Sequence, residues 1–521
     1  MNVTLADVAR DCALILPELT LVATLCLILL WDAALPLARS RHMAWPMIGG
    51  LGLALLLVLI GYGKHPVLAS PGPVYAFSGM IVVDKLGDFF KVVFLLGTLG
   101  VVLFTLRSTE LKDYRQGEYY TLMLGAVLGG AFLASSNNLL MLVLSLETLS
   151  LCSYVLVGYV KHDRLSAEAS LKYILYGAVA SAVMLFGVSY IYGMAGTLDL
   201  SRVFHGLASG EDNGLAVLIA FVLVIGGLGF KMAAVPFHFW APDVYQGAPT
   251  PITAFLSVVS KAAGFAALLR VFLPLFAVEG AVIPDNVLAI RGALLTTIQD
   301  AHLALLFWIL SVATMTLGNL VAIVQKDVKR LLAYSSIAHA GYILMGMTVF
   351  NNAALEAMLF YFFVYLFMNL GAWLVVVVLR EVTGSSELSA YRGLAWRNPF
   401  LFTMMFIFLI SLTGIPPTAG FLGKLQIFYV VVGAGLAEGL VLSPASMFYI
   451  SLAIIGGINT AISLYFYMRI AKVMVFDRPE AERPLRLPAF DSVSLAAYGA
   501  PVLLLILIYG PAFTVVELFP R

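Results

Sequence analysis

Apolar residues recur in runs of about 20 along the whole chain, and short polar segments separate these runs. A helical run of that length spans the roughly 30 Å hydrocarbon core of a bilayer. Fourteen such runs predict an all-α polytopic membrane protein with about fourteen transmembrane helices. The predicted spans are 13–34, 45–62, 84–106, 119–134, 139–159, 166–194, 214–237, 250–275, 302–323, 328–348, 352–379, 399–432, 445–468 and 492–515.

Composition supports a membrane protein and argues against a soluble or nucleic-acid-binding one. Of the 521 residues, 61% are hydrophobic and only 11% are charged, and the mean hydropathy is +0.99. Soluble chains carry about 25% charged residues. Asp7, Arg10 and Asp11 precede the first run without the basic leader or small-residue cleavage site of a signal peptide. We therefore expect that run to be a retained helix.

The thirty Lys and Arg residues are distributed unevenly between the predicted loops. Odd-numbered loops hold eighteen of them when Lys329 and Arg330, at the very start of the tenth span, are counted with the adjoining loop, and the rest of the predicted spans hold seven. Cytoplasmic loops carry the excess of Lys and Arg in membrane proteins. Both termini are therefore expected on the non-cytoplasmic side, and the even number of spans agrees with both lying on one side. The even-numbered loops and the termini hold Arg10, Lys64, Arg202, Arg291 and Arg521.

The cysteines and histidines lack the spacing of a cofactor or metal site. Cys12, Cys26 and Cys152 are isolated, whereas iron–sulfur clusters and structural zinc sites need closely spaced cysteines. Only His339 of the seven histidines lies in the middle of an apolar run, while a haem with two histidine ligands needs a pair. We expect no cofactor and no metal in this chain.

Two of the charged residues within spans have charged neighbours in sequence. Lys85 and Lys91 lie beside Asp84 and Asp88 near the start of the third span. Asp88 and Lys91 are three residues apart and share a helix face. Local pairing is therefore expected to explain both lysines.

The remaining five cations divide by their distance from the span ends. Lys172 and Arg270 lie near an end, where a long side chain reaches the lipid headgroups. Lys231, Lys261 and Lys424 lie at least six residues inside the predicted boundaries. An ionised side chain at that depth costs roughly 2.5 to 3.5 kcal/mol or more. These three lysines are candidate functional residues.

Glu147 is interpreted as the carboxylate that accompanies these lysines, because it lies deep within the fifth span. Burial disfavours a charged lysine and a nearby carboxylate favours it, so a change at the carboxylate can switch the lysine between its two forms. A proton relay needs such a switch. The alternative is a permanent buried ion pair that only fixes packing, but one glutamate cannot neutralise three lysines.

His339 lies centrally in the tenth span, with Ser335, Ser336 and Tyr342 as expected hydrogen-bond partners. An imidazole has an unperturbed pKa of about 6.5, which suits proton transfer between flanking sites. A lone buried histidine also commonly serves packing. A relay role and a packing role therefore both fit this residue.

Two spans carry helix breakers close to a lysine. Pro236 follows Lys231 by five residues, and Gly414, Pro416 and Pro417 precede Lys424. Proline removes a backbone donor and clashes with the preceding turn. We therefore expect broken helices 7 and 12, with carbonyl groups freed beside a charged residue. Paired broken helices are typical of transporters.

Four segments resemble the subunit N family of proton-pumping NADH:quinone oxidoreductase, respiratory complex I. They are KMAAVPFHFWAPDVYQGAPTPITAFLSVVSK from Lys231, QKDVKRLLAYSSIAHAGY from Gln325, SLTGIPPTAGFLGK from Ser411 and LSLETLSLCSYVLVGY from Leu144. The resemblance implies an antiporter-like fold of two inverted five-helix bundles, formed by predicted helices 4 to 8 and 9 to 13. The implied domains are an N-terminal three-helix segment at 1–118, bundles at 119–275 and 276–475, and a C-terminal helix at 476–521.

The resemblance also implies residue roles. Glu147 and Lys231 would form an adjustable pair, Lys261 and His339 would carry protons laterally, and Lys424 would face the exit side. Quinone reduction elsewhere in the complex would supply the energy. FMN, iron–sulfur clusters and quinone would belong to other subunits, and this chain would hold no cofactor.

Partners and location follow from the same resemblance. The chain would lie in a bacterial cytoplasmic (inner) membrane beside the antiporter-like subunit M and the small subunit K. Two alternatives share these features: a subunit of a stand-alone cation/proton antiporter, and subunit M itself. The loop PDVYQGAPTP, from Pro242, argues against both.

Overall fold

The computed structural model describes residues 5–61, 73–208, 214–276, 302–437, 443–478 and 484–507. Within these residues the chain is predominantly helical, and each of the fourteen predicted spans coincides with one helix or with two consecutive helices. The predicted all-α membrane fold is confirmed. Lys64, Arg291, Arg521 and the predicted end of the last span at 515 lie outside the described residues.

The N-terminal segment contains helices and one small hairpin. Its helices are α1 (Leu5–Leu14), α2 (Leu16–Ala34), α3 (Ala44–Gly61) and α4 (Lys85–Arg107). The strands β1 (Val74–Ala76) and β2 (Ile81–Val83) pair in antiparallel register. Apolar residues of the hairpin pack against Leu14, the last residue of α1, and against Ile15, which follows it. The sequence patterns did not predict α1 or the hairpin, because both are shorter than a span.

The central part of the chain contains the first broken helix. Its helices are α5 (Gln116–Ala134), α6 (Leu139–Val157), α7 (Arg164–Ala195), α8 (Leu200–Ala208), α9 (Gly214–Met232), α10 (Trp240–Gly247), α11 (Thr250–Phe255) and α12 (Lys261–Phe272). The predicted seventh span extended to 237, but α9 ends at Met232 because Ala233 adopts a positive φ of 58° and Pro236 follows. One π turn, Leu256–Ser260, separates α11 from α12.

The C-terminal part contains the second broken helix. Its helices are α13 (Leu303–Ala322), α14 (Val328–Leu344), α15 (Asn352–Thr383), α16 (Leu394–Arg397), α17 (Pro399–Thr413), α18 (Ala419–Ala437), α19 (Pro444–Phe476) and α20 (Ala489–Leu504). The predicted span 399–432 is thus two helices. Gly414, with φ of 87°, ends α17, and the cis peptide Pro416–Pro417 lies in the break.

Eleven helical segments of the described chain are long and apolar enough to cross a membrane. Helices α17 and α20 are apolar but shorter, and α5 and α14 do not meet both criteria. Helix α14 has only 17 residues and carries Lys329, Arg330 and His339. It packs closely against α13.

The described chain divides into two compact units. The first contains the described residues up to Met232 and from Gly247 to His302, and the second contains Ala233–Gln246 and the described residues from Leu303 onwards. Glu147, Lys231 and Lys261 belong to the first unit, whereas His339 and Lys424 belong to the second. The domain bounds and the inverted relation of the two bundles remain predictions.

Candidate functional site

Lys231 is fully buried in the last turn of α9, immediately before the break. Its ammonium Nζ lies 3.1 Å from the hydroxyl of Ser150 on α6 and 3.1 Å from the hydroxyl of Tyr173 on α7. The predicted break after Lys231 is confirmed, but it comes earlier than expected, so that only Met232 follows Lys231 in α9. The break, together with the packing of α6 and α7, encloses the lysine.

Glu147 lies on α6, one turn before Ser150, and it is half-buried. Its carboxylate accepts a hydrogen bond from the hydroxyl of Ser181 on α7. Among the described residues, Lys231 has no carboxylate oxygen within the 4 Å of a salt bridge. The structure therefore does not show the direct contact expected between Glu147 and Lys231. Ser150 shares a helix face with Glu147 and contacts the lysine instead.

Lys261 is buried and is the first residue of α12, directly after the π turn. Gly264, one turn later, lies close to the helix that carries Lys231. A Cβ at Gly264 would stand 2.9 Å from the Met232 side chain and 3.2 Å from Cβ of Lys231. The missing side chain thus permits close packing of α12 on α9. Hydrophobic patterning did not identify this glycine.

His339 is buried in α14 between two tyrosines that come from other helices. Its Nδ1 lies 2.6 Å from the hydroxyl of Tyr361 on α15, and its Nε2 lies 3.1 Å from the hydroxyl of Tyr467 on α19. The expected partners from α14 itself make other contacts, since Ser335 bonds to the Tyr467 hydroxyl and Ser336 donates to a carbonyl. Because both tyrosines are distant in sequence, only the fold shows them.

Lys424 is buried in the first part of α18, opposite the broken end of α17. Its Nζ donates a 2.8 Å hydrogen bond to the carbonyl of Thr413, the last residue of α17. The same Nζ lies 4.3 Å from the centre of the Tyr342 ring. The sequence predicted a carbonyl freed by the break beside this lysine, and the structure confirms that arrangement.

A chain of buried amides and hydroxyls extends from Tyr342. Its hydroxyl accepts from the Asn319 side chain at 3.2 Å, and the same amide group of Asn319 lies 3.2 Å from the side-chain oxygen of Asn459. Asn459 in turn donates to the hydroxyl of Thr316 at 3.0 Å. Each residue is an ordinary polar residue within an apolar run, so spacing gave no signal for this chain.

The geometry therefore gives each unit its own proton-exchanging groups: two lysine amines, a half-buried carboxylate and hydroxyls in the first, and an imidazole, a lysine amine and hydroxyls in the second. Such groups exchange protons, and hydroxyls can accept and donate hydrogen bonds at once.

The family described as NADH:quinone oxidoreductase/Mrp antiporter, TM, matches residues 136–299 and 286–449. NADH-quinone oxidoreductase subunit N 2 of Sorangium cellulosum (strain So ce56) is 40% identical over 520 residues, which cover 98% of this chain and 97% of that protein.

The chain belongs to the subunit N family of NADH:quinone oxidoreductase. A solved structure supports this assignment. One chain of respiratory complex I from Thermus thermophilus with bound aureothin is 32% identical, and the match covers 97% of this chain and 100% of that chain with a TM-score of 0.75. A chain of the Mrp complex from Dietzia sp. DQ12-45-1b shares the fold, with a TM-score of 0.79. It is 21% identical, and the match covers 98% of this chain and 96% of that chain. This member of the subunit N family is a membrane-arm subunit of complex I, and the family implies proton translocation.

Two motif segments of the subunit N family meet at one polar contact in the second unit. Arg330, from the segment that begins at Gln325, lies 2.6 Å from a carboxylate oxygen of Asp243 and donates to the side chain of Gln246 at 3.0 Å. Asp243 and Gln246 both belong to PDVYQGAPTP. Both residues lie on α10, so this part of the motif is helical and is held by one charged and one neutral contact, which gives its distinctive sequence a structural role.

Arg270 corrects an expectation, because it does not extend to the headgroups. Its side chain is only 3% exposed and binds both carboxylate oxygens of Asp84, at 2.5 and 2.8 Å, and the carbonyl of Ala134. The carboxylate of Asp84 also accepts a hydrogen bond from the backbone amide of Gly87 at 2.8 Å. Asp84 directly precedes α4 and lies 186 residues before Arg270 in the sequence.

Lys172 and Lys91 also have partners that the structure defines. Lys172 pairs with Glu168 at 2.7 Å, one turn away on α7, and both side chains are partly or largely exposed. Lys91 lies 3.8 Å from Asp88, as local pairing predicted, but its nearer partner is Glu18 on α2 at 2.7 Å. Glu18 is almost fully buried, and no sequence pattern identified it as the partner of Lys91.

Proposed function

We propose that this subunit moves protons across the membrane by successive protonation of Glu147, Lys231, Lys261, His339 and Lys424, without a redox centre of its own. The observation that carries the proposal is the setting of Lys231. Its ammonium contacts two hydroxyls at the end of a broken helix, and no described carboxylate lies within salt-bridge distance. A lysine held in that way can lose its proton without leaving a buried carboxylate unpaired.

Glu147 and Ser181 would regulate the first unit. A charged Glu147 favours the ammonium form of the nearby Lys231, and neutralisation of Glu147 favours the amine. Because Ser150 and Glu147 share a face of α6, a proton change at the carboxylate acts on the lysine across a single helical turn. Lys261 would then receive the proton.

His339 and Lys424 would continue the path. Both ring nitrogens of His339 contact tyrosine hydroxyls, so one nitrogen can accept a proton while the other releases one. Lys424 donates to the free carbonyl of Thr413. We propose Lys424 as the group nearest the exit, as the resemblance implies.

The energy, cofactors and neighbours would come from the rest of the complex. We propose that quinone reduction in other subunits, which would hold the FMN, the iron–sulfur clusters and the quinone, drives the changes at Glu147. The isolated positions of the three cysteines support this division. Subunits M and K would be neighbours in a bacterial inner membrane, and both termini would face the non-cytoplasmic side, which the distribution of Lys and Arg supports.

Pumping measurements on the assembled complex test the residue roles. We expect Lys231→Ala and Glu147→Ala each to reduce the number of protons moved per NADH oxidised, measured by acidification in membrane vesicles. Lys161→Ala, at an exposed loop position, is the matched control and should retain full pumping. Full pumping in both site variants, with normal assembly, would refute these roles.

Purification tests the assignment to complex I against a stand-alone antiporter. The fold is common to both kinds of complex. We expect the chain to copurify with a large flavin-containing assembly that oxidises NADH. Recovery solely with antiporter subunits would contradict the assignment.

A further inference from the structure

Three buried ionisable side chains in the N-terminal segment take no part in the proposed path. Glu18 lies on α2, and Asp88 and Lys91 lie on α4. Their side chains are 1%, 7% and 3% exposed, respectively. Two acids and one base are therefore enclosed together, at positions where each charge needs a partner.

The three side chains are not equally close to one another. Nζ of Lys91 lies 2.7 Å from one carboxylate oxygen of Glu18 and 3.8 Å from a carboxylate oxygen of Asp88. The second carboxylate oxygen of Glu18 is buried and has no hydrogen-bond partner among the described residues. Glu18 and Lys91 border a small cavity whose other lining is apolar, from residues such as Leu21, Val58 and Phe94.

The charges around this triad do not supply the missing positive charge. Asp84 and Arg270 also interact with Asp88, but they form their own bidentate pair and neutralise each other. Lys91 supplies one positive charge to two carboxyl groups. With every group ionised, the buried cluster would carry one uncompensated negative charge.

We infer that the triad of Glu18, Asp88 and Lys91 is a proton-binding site that holds one exchangeable proton on a carboxyl group. A buried carboxylate without a counter-charge is strongly disfavoured, and binding a proton removes its charge. The structure assigns this proton to Asp88, because Glu18 takes the close contact with the ammonium. Proton binding forms one O–H bond at a carboxylate oxygen and breaks no other bond.

This site is separate from the proposed path, and its existence does not depend on pumping. None of its three residues belongs to the set of Glu147, Lys231, Lys261, His339 and Lys424. A proton bound at Asp88 can be detected spectroscopically whether or not those residues move protons. Failure of the path hypothesis therefore leaves the site standing, and the reverse also holds.

Infrared difference spectroscopy of the purified, assembled complex at neutral pH tests the inference. We expect the wild-type minus Asp88→Asn spectrum to contain the carbonyl stretch of a protonated carboxyl group, shifted in D₂O. Glu18→Gln should remove the same band, because Lys91 is then free to pair with Asp88 and ionise it. If Asp88→Asn assembles poorly, Glu18→Gln decides by itself, because a permanently charged triad would lose only bands of an ionised carboxylate in that variant.

Glu168→Gln is the matched control, since Glu168 forms an exposed pair with Lys172. Its difference spectrum should contain only bands of an ionised carboxylate. The inference would be overturned if Asp88→Asn likewise removed only ionised-carboxylate bands, or if Glu18→Gln did so. Either result would show that the triad is permanently charged.

Discussion

At the scale of single residues, burial alone did not distinguish function from structure. Arg270 and Lys231 are both buried cations, but Arg270 binds two carboxylate oxygens whereas Lys231 contacts two hydroxyls. The first arrangement fixes a charge permanently. The second places only hydroxyl oxygens in direct contact with the ammonium, which supports the proposal that Lys231 changes its protonation.

Arg270→Met is expected to destabilise the chain by about 3 to 5 kcal/mol, since it leaves the Asp84 carboxylate buried without its partner. The amount of assembled complex in membranes and its thermal midpoint both measure this loss. Arg202→Met, which removes an exposed pair with Asp199, should cost no more than about 1 kcal/mol. Equal effects of the two variants would contradict the structural role of Arg270.

At the scale of elements, the two broken helices present their lysines differently. Lys231 precedes its break and contacts hydroxyls on α6 and α7, whereas Lys424 follows its break and contacts the carbonyl that the break frees. Gly414 makes the second contact possible. A Cβ at Gly414 would stand 2.8 Å from Cδ of Lys424, and its φ of 87° favours glycine.

Gly414→Ala is therefore expected to displace Lys424 and to lower the protons moved per NADH. Gly384→Ala is the matched control, because Gly384 has a similar φ of 71° at the end of α15 but no atom within 4 Å of its added Cβ. Both variants carry the backbone strain, roughly 1 to 2 kcal/mol. Equal pumping losses would show that strain, and not the position of Lys424, matters.

The sequence predicted the helices of this fold well and their contacts poorly. Hydrophobic runs located the spans, and proline and glycine located both breaks, since these features act locally. Tyr361 and Tyr467 could not be predicted as partners of His339, because they lie 22 and 128 residues away. Glu18 was missed for the same reason, since Lys91 had a carboxylate nearby in sequence and the closer one belongs to another helix.

At the scale of the whole molecule, each compact unit holds its own buried titratable groups. The first has Glu147, Lys231 and Lys261, and the second has His339 and Lys424. The match to a complex I chain covers 97% of the sequence, so both units belong to the conserved fold of the family. We propose that the two sets act in series.

Combined substitutions test whether the units act in series. We expect Lys231→Ala, Lys424→Ala and the double variant to lose similar amounts of pumping, because a path that is already interrupted gains nothing from a second interruption. Protons moved per NADH in reconstituted vesicles measure each loss. Losses that add up in the double variant would indicate two independent routes.

The sequence by itself determined that the chain is a helical membrane protein, where its spans and breaks lie, and which lysines are candidate functional residues. These properties follow from local hydrophobicity and backbone restriction. Only the tertiary structure decided what each buried charge contacts, because partners come from helices that are distant in the chain. The tertiary contacts distinguish Arg270, which binds the Asp84 carboxylate, from Lys231, which contacts hydroxyls. They also reveal the triad of Glu18, Asp88 and Lys91.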